Sequence, residues 1–122
     1  MDKKFVNPGT PFSDAVRFGN LLFISGQGPN LHDEVPTSIS EQTRNCLEKI
    51  EKIIMKEDGN AENILKMTVF CTSEVSINDF RAEYTQFFHD HHIYNFPAAS
   101  AVVVSKLLYP SWKIEIDAIA GL

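Results

Sequence analysis

Cysteine is scarce in this chain. Cys46 and Cys71 are the only two in 122 residues, and they form neither a CxxC pair nor a zinc-ligand spacing. A disulfide-stapled scaffold and a structural zinc finger are therefore excluded, and both thiols are expected buried and reduced. Basic charge is short as well: 11 Lys and Arg stand against 16 Asp and Glu, for a net charge of −5. Binding a phosphate backbone needs a basic face, so no nucleic acid is expected as partner. No stretch approaches the ~18 apolar residues of a membrane span. The lysines at positions 3 and 4 precede no apolar run, which excludes a signal peptide. These absences together predict a cytoplasmic protein with no membrane partner. A phosphate-cradling glycine loop is missing too, because Gly26-Gln27-Gly28-Pro29 is short and leads into no helix. There is no repeat, low-complexity tract or linker, so residues 1–122 read as a single domain.

What is present is a clear alternation of strand and helix patterns. A weak strand at Lys3 to Val6 precedes an irregular stretch marked by Pro8, Gly9 and Pro11. Val16 to Phe18 and Leu21 to Ser25 flank Gly19-Asn20 and read as a hairpin. The unbroken run Leu21 to Ile24 fits a strand buried on both faces. Residues 37–58 predict the main helix, with a capping box at Ser38 and Glu41 and an apolar stripe at Ile39, Cys46, Ile50, Ile53 and Ile54. Glu48, Lys49, Glu51 and Lys52 lie largely off that stripe. Asp58-Gly59-Asn60 ends the helix. Ile64 to Thr72 reads as a strand. A second helix opens with a capping box at Ser76 and Asp79, and its stripe is Ile77, Phe80, Tyr84, Phe87 and Phe88. Ala98 to Leu107 reads as a strand, and Lys113 to Ala118 as a last one, with apolar residues on one face and acids on the other. The order β-β-β-α-β-α-β-β is an α+β layout, a mixed sheet with two helices on one face. The other face of the sheet then needs cover, and oligomerisation supplies it.

Several groups could carry chemistry. His89 and His92 stand one helical turn apart in His89-Asp90-His91-His92, as two metal ligands would. The cluster closes a helix, however, where imidazoles face the negative end of the dipole, and it reads as a solvated helix end with no metal. Cys71 lies mid-strand with no cation at close spacing to activate it. Glu115 and Asp117 share one strand face. A solvent-facing edge and a cleft carboxylate with a raised pKa, acting as general acid or base, both fit that spacing.

Three stretches resemble a known family. Gly19 to Gln27, ending Ser25-Gly26-Gln27, is similar to the hairpin of the RidA (YjgF) family. Thr68-Val69-Phe70 and Tyr84 to Phe88 match its middle, and Phe96 to Val102 with Lys113 to Ile116 its C-terminal signature. The resemblance runs end to end. It implies a chorismate-mutase-like fold and a homotrimer with three inter-subunit clefts. It implies hydrolysis of enamines and imines such as 2-aminoacrylate to a 2-keto acid and ammonia, with no cofactor. Carried over by position, Glu115 matches the family's water-holding glutamate, Ser25 and Gly26 its pocket residues, and the backbone of Ala101 stands where a cysteine is common. The anion-holding half departs from the pattern. Ala99 occupies the arginine's position, Phe12 replaces a tyrosine, and Arg81 stands where an asparagine is common. A 2-imino carboxylate needs a guanidinium clamp. The departures imply a small-molecule cleft with weak or lost deaminase activity, or one in which Arg81 or Arg17 supplies the clamp from a new direction.

Overall fold

Alternating burial along the C-terminal strand divides the inside of the chain from its outside. In the computed structural model, which describes residues 2–122, Ile114, Ile116, Ala118 and Ala120 are buried while Glu115, Asp117, Ile119 and Gly121 are half-exposed. That strand, β6 (Ile114–Gly121), lies inside a six-stranded sheet with β1 (Lys3–Val6), β2 (Ala15–Phe18), β3 (Leu21–Gln27), β4 (Ile64–Thr72) and β5 (Ala98–Val104). The spatial order is β1-β2-β3-β6-β4-β5. Every neighbouring pair is antiparallel except β4 and β5. A parallel pair needs a crossover connection, and the helix α2 (Ile77–Asp90) supplies it.

Both helices pack on one face. The longer one, α1 (Ile39–Met55), buries Cys46, Leu47, Ile50, Ile53 and Ile54 against Leu22, Ile24, Met67, Val69 and the inner residues of β6. Ser38 caps it by accepting the Glu41 amide at 3.0 Å, which is one half of the predicted capping box. The helix ends three residues short of the predicted boundary, and Asp58 takes the left-handed conformation (φ 63°) that turns the chain away. In α2, Phe87 and Phe88 are buried, and Phe80 and Tyr84 pack partly against the core. Ile77, predicted on the same stripe, is exposed at the first residue of the helix. Among the described residues no helix is long and apolar enough to cross a membrane.

The opposite face of the sheet is bare within the chain. Phe5, Val16, Phe23 and Ile119 lie side by side across β1, β2, β3 and β6. Phe5 is 53% and Phe23 44% exposed. Leu21 and Phe18 extend this apolar row and are exposed as well. The expectation that β3 is buried on both faces is corrected here. Leu22 and Ile24 are buried, whereas Leu21 and Phe23 face the side that no element of the chain covers. Strand β5 is equally open. It stops at Val104, short of the predicted Leu107, and six of its seven residues are exposed.

Candidate active site

A break in strand pairing opens the site. Between Ile24 and Gln27 the register of β3 against β6 slips, so that three steps on β3 match two on β6. Such a bulge frees backbone from the ladder and re-aims side chains. The freed residues are Ser25 and Gly26. The Ser25 amide donates to the Asp14 carbonyl at 2.9 Å, and its hydroxyl donates to the Ser13 carbonyl at 2.6 Å. These two bonds stitch the segment carrying Phe12 and Asp14 to the bulge. Opposite lies Glu115, whose carboxylate rests directly against Gly26, so closely that a Cβ at that position would overlap it. Gly28 serves in the same way for the ring of Trp112. Both glycines are needed for close approach.

The resulting cleft has a volume of about 440 Å³. Phe12, Leu108 and Trp112 form its apolar walls, and Asp14, Ser25, Gly26, Lys49 and Glu115 its polar part. No hydrogen bond from any described residue holds the Glu115 carboxylate. Burial raises its pKa above the usual carboxylate range, the like charge of Asp117 adds to that, and the Lys49 ammonium only partly opposes it. A half-buried, unpartnered carboxyl of this kind can hold a water and exchange a proton with it. Lys49 reaches over from α1 and donates to the Gly28 carbonyl (3.0 Å), the Asn30 carbonyl (3.1 Å) and the Asn30 side-chain oxygen (3.0 Å). Burial lowers its pKa, against the pull of Cys46, Asp14 and Glu115.

Of the residues singled out from sequence, Phe12, Ser25, Gly26 and Glu115 come together in this cleft. Ala99 and Ala101 do not join them within one chain. They lie on the edge strand β5, separated from β6 by β4. Arg81 is exposed on α2. The Arg17 guanidinium donates to the Gly19 carbonyl at 3.0 Å and meets Glu57 at 3.3 Å, outside the cleft lining. The histidine cluster is more than a solvated helix end. His91 bridges the helices, with Nε2 2.7 Å from a Glu51 carboxylate oxygen and Nδ1 2.7 Å from the Phe87 carbonyl. Both cysteines are buried, and burial raises each thiol's pKa, which disfavours the reactive thiolate. Asp14, Lys49, Leu108 and Trp112 were not anticipated as cleft residues. The one usable signal was Lys49, three residues after Cys46 and so at the margin of the buried stripe.

The family model described as endoribonuclease L-PSP matches residues 3–122 of the chain. The chain belongs to the RidA (YjgF) family. A RutC family protein of Buchnera aphidicola subsp. Acyrthosiphon pisum is 39% identical to it over 115 residues, covering 93% of this chain and 88% of that protein. TdcF of Escherichia coli K12, whose name provisionally makes it a reactive intermediate deaminase, is 36% identical over 115 residues, covering 90% and 85%. The crystal structure of E. coli TdcF with bound serine superimposes with a TM-score of 0.87 at 34% identity, covering 94% of this chain and 92% of that one. That of the E. coli YjgF gene product gives 0.86 at 34% identity, covering 96% and 92%. The RidA fold is thus the α+β sheet with two helices on one face described above.

Proposed function

We propose that this RidA-family chain forms a homotrimer whose clefts lie between subunits and bind a small metabolite with a C=N or C=O group. In this reading, hydrolysis of 2-imino acids is weak or absent. The observation that carries it is Ala99, at the position where the family resemblance calls for an arginine. The bare apolar row Phe5, Val16, Phe23 and Ile119 and the bare edge of β5 supply surface for assembly. Ala99 and Ala101 sit on that edge, so a neighbouring subunit is what would bring them over Glu115. A ligand the size of serine, which E. coli TdcF holds in its crystal structure, fits a cleft of about 440 Å³.

Imine hydrolysis adds the oxygen of water to the imine carbon. A proton passes to nitrogen, and the C–N bond breaks to leave a ketone and ammonia. In this reading Glu115, whose carboxylate has no hydrogen-bond partner among the described residues, would hold the water and carry that proton. The water-holding half of the chemistry is kept on this proposal, and the anion-holding half is dropped. Without the guanidinium, a substrate carboxylate loses a clamp whose removal costs about 2–5 kcal/mol. Cleavage of RNA would require a basic surface, and a net charge of −5 opposes it.

The test is ammonia release from 2-iminopropanoate and 2-iminobutanoate generated in situ. Wild type is expected to run at the uncatalysed rate and Ala99→Arg above it. Wild-type hydrolysis well above the uncatalysed rate would overturn the reading of Ala99. A monomer mass by light scattering would overturn the assembly.

A further inference from the structure

The charge around the cleft is unusual for a site expected to hold an anion. Lys49 is the only basic side chain among its lining residues, against two carboxylates, Asp14 and Glu115. An ammonium has three N–H donors. Those of Lys49 meet three oxygens at 3.0–3.1 Å, all on Gly28 and Asn30. Its hydrogen-bonding capacity is spent on holding the loop, and a bound carboxylate would find no free donor there.

The acids are in the opposite condition. Asp14 accepts from the Asn7 side chain at 2.9 Å through one oxygen. The carboxylate of Glu115 is free of hydrogen bonds to the described residues, and Asp117 follows it on the same face. The walls add to the same preference. Phe12 is exposed and Trp112 half-buried at the cleft, and aromatic faces attract cations. Where the family would place a guanidinium, the chain has Ala99.

We infer that the cleft selects a small organic cation without a carboxylate, an alkylammonium or the iminium of an alkyl aldehyde or ketone, held between Phe12 and Trp112 with its N–H groups on Glu115. The inference rests on the proposal that this cleft is the metabolite site. It changes the class of ligand from 2-imino acids to simple amines and their imines. The positive charge then lies on the nitrogen that Glu115 faces, and no clamp for an anion is required.

Trp112 is the only tryptophan in the chain and lines the cleft, so its fluorescence reports occupancy. The assembled protein is titrated at pH 8 and constant ionic strength with n-propylammonium chloride and, separately, with sodium 2-oxobutanoate. A saturable change with propylammonium and none with 2-oxobutanoate is expected. Glu115→Gln should weaken the propylammonium response roughly tenfold or more, the scale of one hydrogen bond to a charged group. Asp14→Asn should weaken it less, and it serves as the charge test if Glu115→Gln does not assemble. A response to 2-oxobutanoate with propylammonium silent overturns the selection of cations and leaves the cleft as a metabolite site. Silence with both ligands overturns both readings. Equal responses in wild type and the two variants overturn the role given to the acids.

Discussion

The two faces of the sheet are built from the same six strands, and both carry large apolar side chains. On one face, Leu22, Ile24, Met67, Val69 and Ile116 are covered by α1 and α2. On the other, Phe5, Phe18, Leu21 and Phe23 are open to solvent. The covered face gains its stability from close packing inside the chain. The open face gives the chain nothing until another surface meets it, and it also holds Glu115, whose charge is disfavoured by its surroundings. One face is packed inside the chain, and the other is the surface that the proposed trimer would use for assembly and for its cleft.

The largest effect expected from this contrast is at Ile116, fully buried in the middle of the covered face. Ile116→Ala removes packed methyl groups and leaves a cavity, which should cost ~2–5 kcal/mol. A fall in the urea midpoint with unchanged slope would establish it, whereas a loss below ~1 kcal/mol would mean the two faces are not so different. Phe23→Lys comes next. It should disperse the proposed trimer to a lower mass in sedimentation while changing the stability of the single chain by no more than ~0.5 kcal/mol. An unchanged mass would show that this face is not the contact.

The smallest effect should have the opposite sign, one residue from Ile116. The folded pKa of Glu115 is raised, so the native state binds its proton more readily than the unfolded chain does. Ionised Glu115 therefore costs stability above its folded pKa, and that cost vanishes as the pH falls below the ordinary carboxylate value. Glu115→Gln should stabilise the protein at pH 8 and lose that advantage in acid. Screening of a half-exposed group keeps the gain below ~1 kcal/mol. Urea midpoints at pH 8 and pH 4 check the sign, and a destabilised variant at pH 8 would mean the carboxylate has a partner.

Much of the fold was legible because burial on one face leaves a period in the sequence. The alternation at Ile114-Glu115-Ile116-Asp117 and the stripe at Cys46, Ile50, Ile53 and Ile54 marked their elements correctly. The run Leu21 to Ile24 misled for a physical reason: an apolar side chain states that cover is needed, and not which body provides it. Strand β5 has no alternation in Ala-Ala-Ser-Ala-Val-Val-Val, so its end at Val104 left no mark. In the cleft, Phe12, Ser25 and Gly26 came from family resemblance, while Glu115 was marked both by that resemblance and by the strand face it shares with Asp117. Asp14 arrives through hydrogen bonds to the bulge, and Trp112 through the space left by Gly28, and neither leaves a local pattern. Lys49 lies largely off the apolar stripe in sequence, and a long aliphatic stem can carry its charge well away from the face its Cα occupies.

The place of β6 in the sheet bears on how the protein is made. It pairs with β3 on one side and β4 on the other, yet the ribosome synthesises it after both. Before β6 is made, β3 and β4 each have an unpaired edge where it belongs. Neither half can complete the sheet by itself, so the two pairings that join them wait for the C-terminal strand to emerge. Until then, the exposed edges and the uncovered phenylalanines of β1 to β3 are what a nascent-chain chaperone would meet. Joining strands so distant in the chain also makes the final step a slow one among domains of this size.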